Sequence, residues 1–340
     1  MPAQNRYDGR MTIPDTGHPY EQLTPDLLLN ALDACGLVTD GRLLALNSYE
    51  NRVYQIGIEE AEPVVAKFYR PGRWTRQAIQ EEHDFALELA GHEIPVIAPL
   101  QDELGETLHE YHGFLFGIYP RCGGHWPDLD TREQREQMGR FLGRLHAVGA
   151  TQVFEHRTRL GIDTLGEASR NFILDRNFLP DYLHEAYSSL TADLLEKIRK
   201  LFDVVGPLGA IRLHGDCHKS NILWRDQGPH FVDLDDACSG PAIQDLWMLL
   251  SGDREEMRMQ MEDLLNGYRM FRDFDESSAL LIEPLRTLRI MHYAAWIARR
   301  WEDPAFPIAF PWFDSPRYWE DHILSLREQA SALDEPSILS

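Results

Sequence analysis

Residues 213–236, LHGDCHKSNILWRDQGPHFVDLDD, constrain the fold of this chain more than any other segment. Polar residues open the segment, and an apolar stretch follows at 222–224. A polar turn at 225–229 then leads into a second apolar stretch, which ends at Asp233. This pattern predicts a loop, a short strand, a tight turn and a returning strand. One carboxylate and one carboxamide then lie in the loop, and a second carboxylate lies where the returning strand ends.

These three polar side chains have the types and the order that phosphoryl transfer from ATP requires. Transfer needs a base that orients an acceptor hydroxyl, together with oxygen ligands for the magnesium on the phosphates. Magnesium usually takes only one or two carboxylates from the protein. We therefore predict Asp216 as the base, and Asn221 and Asp233 as Mg²⁺ ligands, with Asp233 also counted as catalytic. A structural loop with capping Asp and Asn residues is the plainer alternative, which the ordered set of three elements disfavours.

The same segment resembles the catalytic and metal-binding segments of the kinase-like phosphotransferases, in which HxDxxxxN is followed by an aspartate after a short hairpin. Gly215 gives the HGD form of the loop, which is similar to the aminoglycoside and choline kinase branch. The resemblance implies an α+β fold of the bilobal, protein-kinase-like type that aminoglycoside phosphotransferases have. We expect a small lobe with an antiparallel sheet and a larger, mainly helical lobe.

A lysine and a glutamate upstream are predicted to form a buried pair. Lys67 lies in an apolar strand-like run at 63–69, where a lysine is costly unless it is paired. Helical periodicity over 75–90 places Glu82 on the apolar face of a helix. Kinases use such a pair to hold the lysine against the α- and β-phosphates, so we predict that both residues serve ATP binding. The alternative is that Lys67 reaches solvent and Glu82 lies at the edge of the apolar face.

The turn at 47–51, NSYEN, lies between two predicted strands where protein kinases carry a glycine-rich loop. We predict that Ser48 and neighbouring backbone N–H groups hydrogen-bond the nucleotide phosphates. Glycine-poor loops occur in enzymes of the aminoglycoside kinase type, so this difference agrees with the resemblance. Residues 114–120, which end in a Pro-Arg-Cys-Gly-Gly loop, resemble the hinge between the lobes, and an ordinary strand and loop is an equal alternative from the residues alone.

The chain of 340 residues is long enough for two lobes with a shared cleft. The predicted parts are a flexible N-terminal tail, a nucleotide-binding N-lobe, a catalytic and substrate-binding C-lobe, and a C-terminal tail. Their predicted bounds are 1–22, 23–119, 120–330 and 331–340.

The overall charge excludes one class of partner. The chain carries 55 acidic and 33 basic residues, which gives a formal net charge of −22. Nonspecific nucleic-acid binding needs clustered Lys and Arg, so we expect no nucleic-acid partner. The polyanion ATP must instead be attracted by a local cationic pocket against the field of the whole protein. A specific lysine is therefore expected, and Lys67 supplies it.

The sequence also indicates the compartment. No stretch approaches the ~18 uninterrupted apolar residues of a membrane helix, so no membrane partner is expected. Residues 1–20 have no apolar core and predict no secretory signal. The cysteines form no CxxC pair and are predicted to be free thiols. We therefore expect a cytoplasmic protein.

Six segments narrow the resemblance: LNSYENRVYQ, VVAKFYRPGRW, LHGDCHKSNILWRD, FVDLDDA, QDLWMLL and RRWEDPAFP. Together they resemble the bacterial stress response kinase A family over about residues 43–312. The resemblance implies a monomeric protein kinase that depends on ATP and magnesium, phosphorylates Ser and Thr, and is linked to envelope stress. The chain has Asp-Leu-Asp in place of the DFG triplet and no APE segment, so control by activation-loop phosphorylation is not expected.

Parts of the sequence are also compatible with other functions. A small-molecule kinase acting on an amino alcohol, sugar or aminoglycoside is the strongest alternative, because the HGD loop serves both classes. His214, Asp216 and His218 superficially resemble a zinc cluster, although no second His/Asp cluster follows. Asp233-x-Asp235 resembles a dehalogenase-type phosphatase motif, which normally lies in the first α/β unit of a chain. A noncatalytic pseudokinase is disfavoured by the complete set of predicted site residues.

Overall fold

The computed structural model describes residues 18–225 and 228–340. Within them, a five-stranded antiparallel sheet forms most of the N-lobe, in the order β1-β2-β3-β5-β4. The strands are Thr39–Ala45 (β1), Arg52–Ile58 (β2), Val64–Phe68 (β3), Leu108–Tyr111 (β4) and Phe114–Pro120 (β5). Strand β3 is central, and Lys67 lies opposite Val53 on one neighbour and Gly117 on the other. Lys67 is therefore held in the middle of the sheet.

The two faces of this sheet are covered by different helices, Pro25–Ala34 (α1) and Arg76–Gly91 (α2). Ala66 and Phe68 are buried in one cluster with Leu28 of α1. Because side chains alternate along a strand, Lys67 points to the opposite face, towards α2. Helix α2 begins at its cap Thr75, whose hydroxyl accepts a hydrogen bond from a backbone N–H of the first turn.

The C-lobe is mainly helical. Its helices are Arg132–Gly149 (α3), Ala168–Leu174 (α4), Asp181–Val205 (α5), Ile243–Trp247 (α6), Arg254–Tyr268 (α7), Ile282–Ala298 (α8), Ala305–Ala309 (α9) and Pro316–Ala332 (α10). Short 3₁₀ or π-helical segments occur at Ile162–Glu167, Lys219–Asn221, Leu234–Asp236 and Glu276–Leu281. The strands Ile211–Leu213 (β6) and Cys238–Gly240 (β9) pair, as do Ile222–Arg225 (β7) and Gly228–Phe231 (β8). The β7–β8 pair is the hairpin that the sequence predicted. None of the described helices is long and apolar enough to cross a membrane.

The N-terminal segment differs in part from the predicted flexible tail over 1–22. Residues 1–17 lie outside the described residues. Tyr20 is buried in the N-lobe cluster, and its hydroxyl donates to the backbone carbonyl oxygen of Glu50 at 3.0 Å. A single aromatic residue in a polar stretch gives no periodic signal, which is why the sequence did not reveal this contact.

The C-terminal segment, predicted as a tail over 331–340, is packed against the C-lobe. Helix α10 extends to Ala332, and the side chains of Leu333 and Ile338 beyond it are buried. Leu333 is part of one of the two main apolar clusters of the C-lobe, and Ile338 is part of the other. The last residues of the chain are therefore part of the folded lobe.

Helices α3 and α7 cross closely because glycines lie at their contact. A Cβ atom at Gly139 would overlap the backbone carbonyl oxygen of Leu264, and one at Gly267 would overlap that of Glu136. Gly139→Ala should therefore lower the free energy of unfolding by about 1–3 kcal/mol, since a helical backbone cannot move aside cheaply. Urea unfolding measures this change.

The matched control is Gly91→Ala at the end of α2, where an added Cβ meets no atom within 4 Å. Alanine also has the higher helix propensity, so stability should stay the same or rise. Equal losses in the two variants would contradict the close helix contact.

Candidate active site

A buried carboxylate accepts hydrogen bonds from the backbone of the loop between β6 and β7. Asp245, in α6, is fully buried and accepts hydrogen bonds from the backbone N–H groups of His214 at 2.8 Å and Gly215 at 2.9 Å. His146 of α3 supports it, with Nε2 lying 3.1 Å from Asp245 Oδ2. These contacts fix the backbone that carries Asp216. The sequence did not reveal the role of Asp245, although its segment QDLWMLL contributed to the resemblance.

Gly215 and His214 join this loop to the acidic segment after β8. Gly215 has φ of +83°, and a Cβ there would overlap the Asp236 carbonyl oxygen, so a side chain is excluded on both grounds. His214 Nε2 donates to the Val232 carbonyl oxygen at 2.9 Å. The HGD form of the loop therefore has a structural reason.

Asp216 lies in this loop with its side chain 18% exposed. Its Oδ2 accepts from Asn221 Nδ2 at 3.3 Å and lies 3.3 Å from His218 Nε2. Its Oδ1 lies 2.6 Å from Nη2 of Arg289. Burial alone would raise the pKa of Asp216, but the bond with His218 and the charge of Arg289 outweigh it and hold the pKa below its usual value. Asp216 is therefore ionised at neutral pH, as a base must be.

Asn221 lies between the predicted base and the predicted metal ligand. Its amide nitrogen donates to the Asp216 carbonyl oxygen at 3.0 Å, which leaves the amide oxygen for another partner. Its backbone carbonyl oxygen accepts from the N–H of Val232 at 3.0 Å, one residue before Asp233. The two predicted metal ligands are therefore joined through adjacent backbone.

Asp233 turns out of the returning strand into the cleft between the lobes. Its backbone is left-handed, with φ of 60° and ψ of 66°, a conformation that aspartate adopts more readily than most residues. Its side chain is 55% exposed, and Oδ1 lies 3.0 Å from Lys67 Nζ. The turn thus aims this carboxylate at the N-lobe lysine.

Lys67 is buried and is surrounded by carboxylates. Its Nζ lies 3.0 Å from Glu82 Oε1, 3.0 Å from Asp233 Oδ1 and 3.4 Å from Asp235 Oδ1. Burial alone would lower the pKa of Lys67, but these three carboxylates raise it above its usual value, so the lysine stays charged. The structure therefore brings Lys67, Glu82 and Asp233 together, while their roles towards ATP stay predictions.

Three residues behind Glu82 form a polar network that the sequence did not reveal. The Tyr69 hydroxyl lies 3.3 Å from Glu82 Oε1, 2.7 Å from His83 Nε2 and 2.9 Å from the Tyr119 hydroxyl. Burial lowers the pKa of His83 to about 3, so this ring is neutral. Tyr69 directly follows β3 and lies two residues after Lys67, the spacing at which extended backbone places side chains on the same face, and this spacing was the available signal. The network holds Glu82 in place from the side away from the cleft.

The structure separates the roles of the last two aspartates of the acidic segment. Asp235 is buried and forms ion pairs with Lys67 and Arg73. Asp236 is half-exposed and pairs with Arg73. Arg157 donates to the carbonyl oxygens of Ala237 and of Ala78, which ties the acidic segment to α2. Arg73 and Arg157 add to the local positive charge expected beside Lys67.

The loop between β1 and β2, which carries Ser48, is docked on the C-lobe. The Glu50 carboxylate accepts from Trp296 Nε1 at 2.7 Å, and Arg300 Nε lies 2.6 Å from it. Ser48 is partly buried and, among the described residues, has no hydrogen bond to the other predicted site residues. Specific contacts of its neighbours hold this glycine-poor loop in place, and the phosphate-binding role of Ser48 stays a prediction.

The donor set fits a magnesium ion that shares its ligands with phosphates. Among residues 18–225 and 228–340, no group of three or more His, Cys, Asp or Glu side chains is arranged to hold a metal. Magnesium does not need such a group, because it takes one or two carboxylates and completes its shell with water and phosphate oxygens. The exposed carboxylate of Asp233 and the amide oxygen of Asn221, which accepts no hydrogen bond from the described residues, meet that requirement.

Comparisons with known proteins agree with this geometry. A family model described as the phosphotransferase enzyme family matches residues 42–280. Stress response kinase A of Escherichia coli strain K12 is 46% identical over 323 residues, which is 94% of this chain and 96% of that protein. Serine/threonine protein kinase RdoA of Salmonella typhimurium strain LT2 is 44% identical over 324 residues, 95% of this chain and 98% of that protein.

A solved structure supports the fold independently. Amicoumacin kinase hAmiN, in complex with AMP-PNP, Ca²⁺ and Ami, superposes with a TM-score of 0.67 and 18% identity. The match covers 87% of this chain and 93% of that chain. Together with the family match, it confirms the predicted α+β, bilobal fold of the aminoglycoside phosphotransferase type.

Proposed function

The chain belongs to the phosphotransferase enzyme family and is an ATP-dependent kinase, and we propose that its acceptors are Ser and Thr hydroxyls of proteins. One observation carries the choice of acceptor. The relatives that match nearly the whole chain, at 44–46% identity, are named as a stress response kinase and a serine/threonine protein kinase. We further propose a role in a bacterial stress response, a cytoplasmic location and a monomeric state.

In the proposed mechanism, Lys67 exchanges Asp233 for oxygens of the nucleotide phosphates and keeps Glu82 as its partner. Asn221 and Asp233 would hold Mg²⁺, which would offset the negative charge of the phosphates. Asp216 accepts a hydrogen bond from the acceptor hydroxyl and orients it. The acceptor oxygen bonds to the γ-phosphorus, the bond to the ADP oxygen breaks, and the hydroxyl proton goes to Asp216.

Replacing the lysine should weaken the chemical step. Lys67→Met removes the cation that meets the phosphates, so kcat should fall by about 10²–10³-fold. The substitution also removes the ammonium group that pairs with three neighbouring carboxylates. Because these carboxylates then repel one another without a common cation, the free energy of unfolding should fall. Glu82→Gln should lower kcat less, because Lys67 remains and only its positioning is weakened. Steady-state kinetics and urea unfolding of both variants test this order, and a Lys67→Met enzyme with wild-type kcat would overturn it.

The alternatives receive less support. Amicoumacin kinase has the same fold, but at 18% identity this similarity shows the fold alone and does not support a small-molecule acceptor for this chain. The two histidines of the zinc-like pattern have separate partners, since His214 bonds to Val232 and His218 lies beside Asp216. Asp235, which a phosphatase motif would place in the reaction, is buried among cationic side chains.

Labelling with γ-phosphate tests the acceptor class. The enzyme is incubated with Mg²⁺ and ATP labelled in the γ-phosphate, together with a kinase-inactivated cell extract that has been separated into proteins and metabolites. We expect label on Ser and Thr of proteins, with Asp216→Asn enzyme as the control for other kinases. Enzyme-dependent label in the metabolite fraction alone would overturn the proposal in favour of the small-molecule kinase.

A further inference from the structure

A groove of about 370 Å³ lies between α8 and α10 in the C-lobe. Aromatic side chains line it, among them Trp247, Tyr293 and Tyr318. Trp247 Nε1 donates to Gln244 Oε1 at 3.1 Å, and Gln244 Nε2 donates to the Gly215 carbonyl oxygen at 3.0 Å. The wall of the groove is therefore joined to the loop that carries the predicted base.

Arg289 belongs to both the groove and the base. Its side chain lines the groove, and Nη2 lies 2.6 Å from Asp216 Oδ1. That oxygen has almost no solvent-exposed surface and, among the described residues, receives no hydrogen bond of acceptable alignment. The other oxygen of Asp216 is occupied by His218 and Asn221. An acceptor hydroxyl must therefore share Oδ2 with two partners, or reach Oδ1 after Arg289 has moved.

Arg289 is the partner that can move. Asn221 is tied by a second hydrogen bond to the Asp216 carbonyl oxygen. His218 belongs to the same tight loop, whose next residues form a helical turn. Arg289 has a long side chain that is 41% exposed on the surface of α8. Its departure removes an ion pair, so an anionic group on the incoming acceptor is needed to replace Asp216 as its partner.

The charges of the groove favour an anionic occupant. Arg286 lies one helical turn before Arg289 and also lines the groove, with its charge partly offset by Glu283 at 2.8 Å. One carboxylate, Asp321, lines the groove as well, and Arg317 lies 3.7 Å from it. In a protein of net charge −22, two arginines in the lining of one groove form a local exception. Aromatic walls add contact area for a peptide.

We propose that this groove binds the acceptor segment of the protein substrate, and that this segment is an acidic peptide. A carboxylate close to the acceptor Ser or Thr takes Arg289 away from Asp216 and thereby uncovers the base. Arg289 is thus a specificity-determining residue as well as a cover for Asp216. This inference rests on the proposed function, because it names the substrate class of that same site.

Synthetic peptides with one Ser flanked by Asp, Ala or Lys test this inference through kcat/KM for phosphorylation. We expect the wild-type enzyme to prefer the Asp-flanked peptide over the Ala-flanked one by about 10-fold or more. Arg289→Gln should reduce that ratio to within about 2-fold, and Arg289→Lys should retain part of it. The matched control is Arg199→Gln, an exposed arginine of α5 that pairs with Glu167 and does not line the groove, and this variant should keep the wild-type ratio.

Two outcomes would overturn the inference. One is a wild-type preference for the Lys-flanked peptide, which the negative field of the whole protein alone would favour. The other is an acidic preference that Arg289→Gln retains in full. Either result, obtained while proteins are still labelled on Ser or Thr, leaves the proposed function standing. Enzyme-dependent label on metabolites alone would instead remove the proposed function and this inference with it.

Discussion

Asp216→Asn should lower the rate of phosphoryl transfer by about 10²–10⁴-fold, the usual contribution of a positioned base, while magnesium-ATP binds with nearly wild-type affinity. The asparagine keeps the size of the side chain but cannot accept the hydroxyl proton. The neighbours of Asp216 within bonding distance, His218, Asn221 and Arg289, all belong to the C-lobe, and none of them is the lysine expected at the phosphates. Turnover and calorimetric nucleotide affinity are measured on the same preparation.

The control is Asp334→Asn, which removes the same charge from a surface carboxylate that pairs with Lys197. This variant should transfer phosphate at the wild-type rate. If Asp216→Asn did the same, the base would have to lie elsewhere, and the assignment of the whole loop would fail. A loss of nucleotide affinity in Asp216→Asn as large as its loss of rate would place Asp216 on the nucleotide instead.

Asp233→Asn should weaken the binding of ATP in the presence of magnesium by about 10²-fold, on the scale at which metal sites respond to altered ligands. A carboxylate gives the metal a full charge, whereas an amide gives only a dipole, so Asn221→Ala should have a smaller effect. Among residues 18–225 and 228–340, the exposed Asp233 carboxylate forms an ion pair with Lys67 alone, and in the variant Lys67 keeps Glu82 and Asp235. The variant should therefore remain folded.

The measurement compares nucleotide affinity with magnesium and with a chelator. In the wild type, magnesium should strengthen binding, and in Asp233→Asn this gain should largely disappear. The affinity without metal should change little or improve, because a negative charge near the phosphates has been removed. Wild-type magnesium dependence in both Asp233→Asn and Asn221→Ala would show that the metal is held by other residues.

Local sequence patterns were sufficient to predict the parts of the site whose residues lie close together in the sequence. The lysine in an apolar strand and the glutamate on an apolar helix face had to be buried, and burial of opposite charges brings them together. The hairpin was predictable because its turn residues separate two apolar runs. These predictions used spacing within about 20 residues, where strand and helix geometry decide which side chains meet.

Contacts between distant segments could not be predicted in this way. Asp245 reaches the loop backbone 30 residues away, and Arg157 bonds to two segments that lie about 80 residues before and after it in the chain. Arg289 lies on an amphipathic helix whose pattern gives no sign that one arginine covers Asp216. The anchoring of the glycine-poor loop depends on Glu50 and Trp296, 246 residues apart. Such contacts follow from the packing of the lobes, which no local periodicity encodes.

A crystal structure of the protein with Mg²⁺ and a non-hydrolysable ATP analogue tests the central claim most directly. We expect the phosphates in the cleft between the lobes, Lys67 Nζ within hydrogen-bond distance of a phosphate oxygen and still paired with Glu82, and the metal bound by Asn221 and Asp233. Asp216 should face the γ-phosphate without touching the nucleotide base. A nucleotide bound outside this cleft, or a metal without Asp233 among its ligands, would contradict the account.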